Sequence, residues 1–289
     1  MSDKRLASAQ SLDCAGRLID LSFPHVMGVL NVTPDSFSDG GQFNASLDDA
    51  LRRAEAMVAE GASFIDVGGE STRPGAVEVS VSEELDRVIP VVEALSQRVD
   101  AVISVDTSKA AVIEESVRAG AGLINDVRAL QEPGALDAAA ESSVPVCLMH
   151  MQGKPKDMQK APQYERVIDE VLAFLQARIA ACETAGIERS RIVVDPGFGF
   201  GKSPGHNLTL LNCLDEFQGL GLPILAGLSR KSLLGQITGR PVDQRLIASV
   251  AAATLAVYRG ARIIRAHDVA ATLDAVKVAQ ATIRETLDE

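Results

Sequence analysis

Side chains that could bind or transform a ligand recur at the ends of apolar runs along this chain. Hydrogen-bond acceptors and cations both occur there: Asn31, Asp66, Asp106, Asn125, Asp126, Asp195, Lys231, Arg265 and His267. Carboxylates and amides suit a neutral ring with N–H donors, while Lys and Arg suit an anion such as phosphate. A single Asp at such a place is often only a helix cap or a loop anchor. So many of them together predict a site for a polar heterocycle that carries a phosphate tail.

The elements that must position these residues are eight short, nearly continuous apolar runs rich in β-branched residues. They span 26–32, 64–69, 101–106, 122–127, 145–150, 191–197, 223–229 and 261–268. Such runs predict strands covered on both faces, and the segments between them have helical character. Eight alternating units predict a single-domain (β/α)8 TIM barrel of the α/β class, with an open doubly wound sheet as the alternative. In a barrel, the carboxyl ends of all strands meet at one mouth, which would unite the polar residues.

The helix boundaries and domain limits follow from the same pattern. Ser46 and Ser108 are expected to cap the starts of two helices, and Gly61 and Gly120 to end them. No linker or break in composition divides the chain, so we expect one barrel domain over residues 26–289. Residues 1–25 would form a short N-terminal extension, in which a hairpin could close the bottom of the barrel.

Charge and cysteine content restrict the partners and the compartment. The chain has 28 Lys and Arg against 39 Asp and Glu, a net charge of −11, and no basic cluster, which argues against a nucleic-acid partner. It has neither a signal-peptide pattern nor an apolar run approaching the roughly 20 residues that span a bilayer. Its four scattered cysteines form no CxxC pair, so we expect a protein of the reducing cytoplasm.

Long glycine-rich segments follow several of the runs. They read NVTPDSFSDGGQF, GGESTRPGA, DPGFGFGKSPG and GLSRKS. Glycine permits tight turns and close approach of the backbone to a ligand, and the charged and aromatic residues among these glycines favour binding loops over plain connectors. The sequence has no Walker A or HExxH motif, and GFGFG lacks the GxGxxG spacing, so a nucleotide signature is not supported.

At these segments the sequence resembles the dihydropteroate synthase family of pterin-binding barrels. The similarity runs from Gly28 to Val269 in the order MGVLNVTPDSFSDGG, VGGESTRPGA, SVDTSK, INDV, MHMQGKP, DPGFGFGK, GLSRKS and RAHDV. The resemblance implies a transferase of folate biosynthesis, of the kind that sulfonamides target. Its reaction would join 6-hydroxymethyl-7,8-dihydropterin diphosphate to 4-aminobenzoate, giving 7,8-dihydropteroate and pyrophosphate. It also implies a homodimer.

The resemblance further implies roles for individual residues. The catalytic residues would be Asp35, Lys231, Arg265 and His267. The pterin would be bound by Asp106, Asn125, Asp195, Lys231 and Arg265. The diphosphate would be bound by Asn31, Thr72, Arg265 and His267, with Asn31 also holding Mg²⁺ as the cofactor. The aminobenzoate would be bound by Phe37, Thr72, Arg73, Phe198, Phe200, Lys231 and Ser232.

Two other functions are compatible with the same fold. A pterin-binding methyltransferase barrel would share the carboxylates, but it has no diphosphate to hold and no need for Arg73, Lys231, Arg265 and His267 together. A non-catalytic homologue that binds a partner would be expected to lose Asn31, Lys231 or Arg265, and all three are present.

Overall fold

A barrel of eight parallel strands forms the centre of the protein. The computed structural model describes residues 11–33, 43–71, 78–153 and 162–286. The barrel strands are β3 (His25–Asn31), β4 (Phe64–Gly68), β5 (Val102–Asp106), β6 (Leu123–Asp126), β7 (Val146–Met149), β8 (Ile192–Asp195), β9 (Leu225–Ala226) and β10 (Ile263–Ala266). They follow the order β8-β7-β6-β5-β4-β3-β10-β9, and a parallel bridge from Val194 to Ile224 joins the two ends. The predicted TIM barrel is therefore confirmed, and an open sheet is excluded.

Helices follow the barrel strands in alternation, as the pattern predicted. They are α1 (Phe43–Ala59), α2 (Val81–Ser96), α3 (Ala110–Arg118), α4 (Ala135–Glu141), α5 (Val167–Thr184), α6 (Pro204–Asn212), α7 (Ser232–Thr238), α8 (Leu246–Tyr258) and α9 (Val269–Arg284). None of the helices in the described ranges combines the length and the apolar character that crossing a membrane requires.

Strand side chains alternate between two separate apolar clusters. One cluster contains Phe64, Val102, Leu123, Val193 and Ile263, together with other residues near the amino ends of their strands. The residues that follow them in sequence belong to the larger cluster, which includes residues of the surrounding helices. Because successive side chains of a strand point to opposite faces, the first cluster fills the interior of the barrel and the second lies outside it. Every second residue toward the carboxyl end of a strand therefore points into the mouth.

A hairpin closes the amino-terminal end of the barrel. Strands β1 (Ser11–Cys14) and β2 (Arg17–Asp20) pair antiparallel, and Leu12, Cys14 and Ile19 are buried in the interior cluster. The backbone approaches so closely that a Cβ on Gly122 would lie 3.1 Å from the Cys14 carbonyl oxygen. The expected hairpin is thus confirmed, whereas the division at residues 25 and 26 stays a prediction.

The helix-boundary predictions were correct at the glycines and wrong at both serines. Gly61 and Gly120 follow α1 and α3 with φ angles of +98° and +108°, the left-handed conformation that ends helices. Lys109, rather than Ser108, occupies the cap position of α3, and no side chain caps that end. The Ser108 hydroxyl instead donates to Asp126, because the buried carboxylate competes for it. Helix α1 begins at Phe43, three residues before Ser46.

The hairpin should contribute to the stability of the barrel through Leu12. This side chain is 1% exposed, so Leu12→Ala would leave a cavity and lower the free energy of unfolding by about 2–5 kcal/mol. Leu18→Ala, on the same hairpin but 70% exposed, is the matched control and should change stability little. Denaturant unfolding measures both, and equal losses would show that the hairpin does not seal the core.

Candidate active site

The predicted acceptors other than Asp126 meet at the carboxyl end of the barrel because their positions are inward-facing. Asn31 pairs in register with Gly68, Gly68 with Asp106, and Asp106 with Asn125, across four adjacent strands. Asp195 and Arg265 follow interior residues of their own strands by two positions, so they face the same space. The structure thus brings five separated parts of the chain to one rim.

A buried ion cluster occupies the centre of this rim. The Arg265 guanidinium donates to Asp66 through Nε at 2.6 Å and to Asp106 through Nη2 at 3.0 Å. Asp66 is fully buried and also accepts from the Ser104 hydroxyl at 2.6 Å and from the Asn125 amide at 3.1 Å. Burial works against the guanidinium charge, but Asp66 and Asp106 outweigh it and raise the pKa of Arg265. Asp66 therefore fixes two of the predicted pterin-binding residues, Arg265 and Asn125.

Two carboxylates at the mouth are held in surroundings that disfavour their charge. Burial raises the pKa of Asp106 to about 7, although Arg265 acts in the opposite direction. Burial likewise raises the pKa of Asp195, with Lys231 and the Gly197 N–H opposing it. The Gly197 N–H donates to Asp195 at 2.7 Å, which leaves the second carboxylate oxygen without a backbone partner of this kind. Both groups are suited to accept hydrogen bonds from a ligand that excludes water.

Lys231 supplies the cation opposite these acids. Burial lowers its pKa to about 8, against the attraction of Asp195. Its amine donates to the Phe198 carbonyl and lies 4.6 Å from the centre of the Phe200 ring. A Cβ on Gly227 would lie 3.9 Å from this amine and 3.7 Å from Cβ of Arg265. Glycine at position 227 thus keeps the space between the two cations open.

The loop after β8 adopts a conformation that only glycine permits. Gly197 has a φ of +72°, and a Cβ there would lie 1.9 Å from the His150 carbonyl oxygen. Gly201 has a φ of +60°, and its Cβ would lie 2.2 Å from the Gln152 carbonyl oxygen. Both contacts are with backbone and cannot be relieved by a rotamer change, so the DPGFGFGK segment is fixed against the loop after β7.

Three of the predicted aminobenzoate residues, Phe198, Lys231 and Ser232, line a small pocket beside this loop. Ser232 is exposed and is the first residue of α7. Phe198 is 1% exposed and packs in the outer apolar cluster, whereas Phe200 is partly exposed beneath the Lys231 amine. Phe200 therefore presents a ring surface to solvent and Phe198 mainly its carbonyl group.

The predicted diphosphate residues are only partly described. His267 is half-buried, and its ring Nδ1 and backbone N–H contact the Ser229 hydroxyl at 3.0 and 3.2 Å. Asn31 ends β3 at the mouth. Four predicted site residues lie outside the described part of the chain: Asp35, Phe37, Thr72 and Arg73.

Sequence reasoning left two buried polar residues without a role. Asp66, two residues before the inward-facing Gly68, carries the ion cluster, and its inward position was the signal that could have identified it. Lys202 is 2% exposed and bonds the backbone behind the glycine loop. Asp126 faces outward and binds Ser108 and two backbone N–H groups of its own loop, so the simpler reading of a loop anchor applies there.

Comparison with known proteins agrees with this geometry. A closed barrel with acids and cations at its mouth defines the chain as an α/β-barrel enzyme, and the family model described as "Pterin binding enzyme" matches residues 27–267. Dihydropteroate synthase of Escherichia coli K12 is 58% identical over 268 residues, covering 93% of this chain and 95% of that protein. The chain belongs to this pterin-binding family and, within it, to the dihydropteroate synthases, which are transferases.

Solved structures are similar over nearly the whole chain. Dihydropteroate synthase of Xanthomonas albilineans with 4-aminobenzoic acid has a TM-score of 0.90 and 53% identity, covering 96% of this chain and 99% of that one. The same organism's enzyme in complex with 7,8-dihydropteroate has a TM-score of 0.85 and 47% identity, covering 95% of this chain and 99% of that one.

Replacing Asp66 tests whether the ion cluster organises the mouth. Asp66→Asn would turn an N–H donor toward Arg265 and Asn125 and leave a buried guanidinium undercompensated. We expect the free energy of unfolding to fall by about 3 kcal/mol. Asp100→Asn is the control, because Asp100 pairs with Arg17 at 2.7 Å but is 94% exposed, and such pairs contribute little. Urea unfolding of both variants checks this, and similar small losses would contradict a central role for Asp66.

Proposed function

We propose that this protein condenses 6-hydroxymethyl-7,8-dihydropterin diphosphate with 4-aminobenzoate, releasing 7,8-dihydropteroate and pyrophosphate. The observation that carries the proposal is the convergence of Asp106, Asn125 and Asp195 with Lys231 and Arg265 at one rim. The complexes of the Xanthomonas enzyme with 4-aminobenzoic acid and with 7,8-dihydropteroate support it for one substrate and for the product.

The pterin ring would bind to the fixed strand ends. Its amino and amide N–H groups would donate to the carboxylate of Asp195, with Asn125 and Asp106 satisfying the rest of that edge. Lys231 would donate to ring acceptors, and the guanidinium plane of Arg265 would stack on the ring face. Such recognition is selective, since a ligand without these donors would leave buried carboxylates unpaired.

The diphosphate would lie on the side of the mouth where the cations and Asn31 stand. A Cβ on Gly68 would lie 3.6 Å from the Asn31 side-chain oxygen and 3.9 Å from an Asp106 oxygen, so glycine leaves a small space between two oxygen atoms. Hard cations favour oxygen ligands, which the Asn31 side chain and the diphosphate would both supply. Asn31 would hold Mg²⁺ there, which when bound neutralises diphosphate charge.

Breaking the C–O bond puts negative charge on the departing pyrophosphate and positive charge on the pterin methylene. Arg265 and His267 would stabilise the first, and the carboxylates that hold the ring would stabilise the second. An arylamine is a weak nucleophile, so a largely dissociative step fits these charges. By resemblance alone, we place Asp35 beside the pterin cation, where its carboxylate would add negative charge.

The aminobenzoate would bind after the pterin, because most of the residues of its site lie on loops. Phe198 and Phe200 belong to the glycine loop, and Lys231 and Ser232 lie beside it. Phe37, Thr72 and Arg73 belong to two further glycine-rich segments, which by resemblance to the family would complete the second site. The pterin site on strand ends would therefore fill first.

We also infer a cytoplasmic homodimer. All four cysteines are free thiols, three of them buried, which suits a reducing compartment. Helix α8 is apolar around its whole circumference and exposes Ile247 to 83%, together with Leu246, Leu255 and Tyr258. An exposed row of large apolar side chains suits an interface with a second copy.

The reaction is tested by measuring pyrophosphate released from the dihydropterin diphosphate. Release should require both 4-aminobenzoate and Mg²⁺, and it should be matched by formation of 7,8-dihydropteroate. A methyltransferase barrel or a non-catalytic homologue would release none. Release that proceeds equally without 4-aminobenzoate would overturn the condensation.

Asp195→Asn tests the assignment of the pterin site. The amide can still accept from the Gly197 N–H, but its NH₂ group would face the ligand's donors, so affinity should fall by about 2–3 kcal/mol, on the order of 30- to 150-fold. Asp126→Asn is the control, since that buried carboxylate serves its own loop and faces away from the mouth. Calorimetric titration with the pterin diphosphate distinguishes them, and equal affinities for the two variants would remove Asp195 from the site.

A further inference from the structure

The described chain contains a buried amine behind the glycine loop that the proposed reaction does not use. Lys202 is 2% exposed, and its Nζ lies 2.8 Å from the Gly197 carbonyl oxygen, 3.1 Å from the Phe200 carbonyl oxygen and 2.8 Å from Nδ1 of His150. A fourth, longer contact of 3.3 Å reaches the His150 carbonyl oxygen. Burial lowers the pKa of this amine well below its usual value, so its placement costs free energy that these contacts must offset.

The contacts of Lys202 join the glycine-rich turn after β8 to the end of β7. Gly197 and Phe200 are the two ends of the turn that contains Phe198, while His150 directly follows the last residue of β7. His150 faces away from the mouth and packs edge-on against Phe174 at a ring-centre distance of 4.8 Å. Burial, with the nearby Lys202 charge, lowers the pKa of His150 to about 3, so a neutral ring can accept a hydrogen bond at Nδ1. The amine thus ties a glycine-rich turn to a fixed strand end.

The same turn borders the proposed aminobenzoate pocket, and Lys202 is itself among the residues that line this pocket. The Phe198 carbonyl accepts from Lys231, and the Phe200 ring lies beneath the Lys231 amine. A glycine-rich turn has many accessible conformations, and any shift of its backbone would move both the ring and the carbonyl. The Lys231 amine is held by its hydrogen bond to that carbonyl, so the position of the turn determines where the amine lies.

We propose that Lys202 is a positioning residue for the aminobenzoate half of the site: it fixes the turn that places Phe200 and Lys231. This inference rests on the proposed function. The pterin acceptors Asp106 and Asn125 are held by strands and by the Arg265 and Asp66 cluster, which Lys202 does not touch. The pterin shares Lys231, and its acceptor Asp195 accepts from the Gly197 N–H of the turn, so loss of Lys202 should affect both substrates, and the second more than the first.

Lys202→Met keeps the length of the side chain and removes its N–H donors. We expect KM for 4-aminobenzoate to rise at least about tenfold, since small misplacement of a binding group has large effects. The Kd of the pterin diphosphate, measured by calorimetry, should rise by a clearly smaller factor, about threefold or less.

Arg191→Met is the matched control for a merely structural effect. Arg191 also bonds backbone carbonyls, those of Ala139, Ser142 and Val144, but next to the amino end of β8 and far from the mouth. Its loss should lower the free energy of unfolding and leave both substrate parameters unchanged. A Lys202→Met enzyme that behaves like this control, or that loses affinity equally for both substrates, overturns the inference.

His150→Phe decides the matter if Lys202→Met does not fold. It removes one acceptor of the amine and keeps an aromatic ring against Phe174. KM for 4-aminobenzoate should rise about two- to fivefold with a smaller rise in the pterin Kd, and no rise in this KM overturns the inference. An inactive wild-type protein would refute the proposed function instead, so the two failures are distinguishable.

Discussion

The mouth of this barrel depends on one buried guanidinium. Arg265 lies between Asp66 and Asp106, and only the carboxylates make its position inside the barrel tolerable. Asp66 in turn receives Ser104 and Asn125, so one acid connects four strands. A buried charge with several partners has few alternative arrangements, which is why the strand ends form a rigid floor before any ligand arrives.

Much of this arrangement could be predicted from the sequence because strand periodicity determines it. Each predicted run overlaps a strand, with ends that differ by at most three residues, and every predicted acceptor in the pterin set has inward parity. Asn125 and Asp126 illustrate the rule: adjacent in sequence, they face opposite sides, one toward the mouth and the other toward its own loop. Parity therefore separates a site residue from a loop anchor where residue type alone does not.

The interactions that sequence could not supply are those between side chains distant along the chain. Ser108 has every local feature of a helix cap, yet its hydroxyl binds Asp126 from the neighbouring strand. Lys202 reads as the end of a glycine-rich loop, but it is a buried donor because the carbonyls of Gly197 and His150 converge behind that loop. Local propensity is a weak guide where a buried partner is available, and only three-dimensional contacts show which partner that is.

The incompletely paired carboxylates at the mouth determine which hydrogen-bonding groups a ligand must have. Asp66 is committed to Arg265, Ser104 and Asn125, whereas Asp106 and Asp195 have raised pKa values because burial outweighs the cations that reach them. A ring that binds at the mouth would displace water from both carboxylates. The N–H donors of this ligand would then replace the water without any change in protein structure. A ligand that presents only acceptors would be repelled by the same groups. The proposed binding of a donor-rich ring on this floor, with its anionic tail toward Arg265 and His267, would thus follow from which charges the strands bury and which they leave incompletely paired.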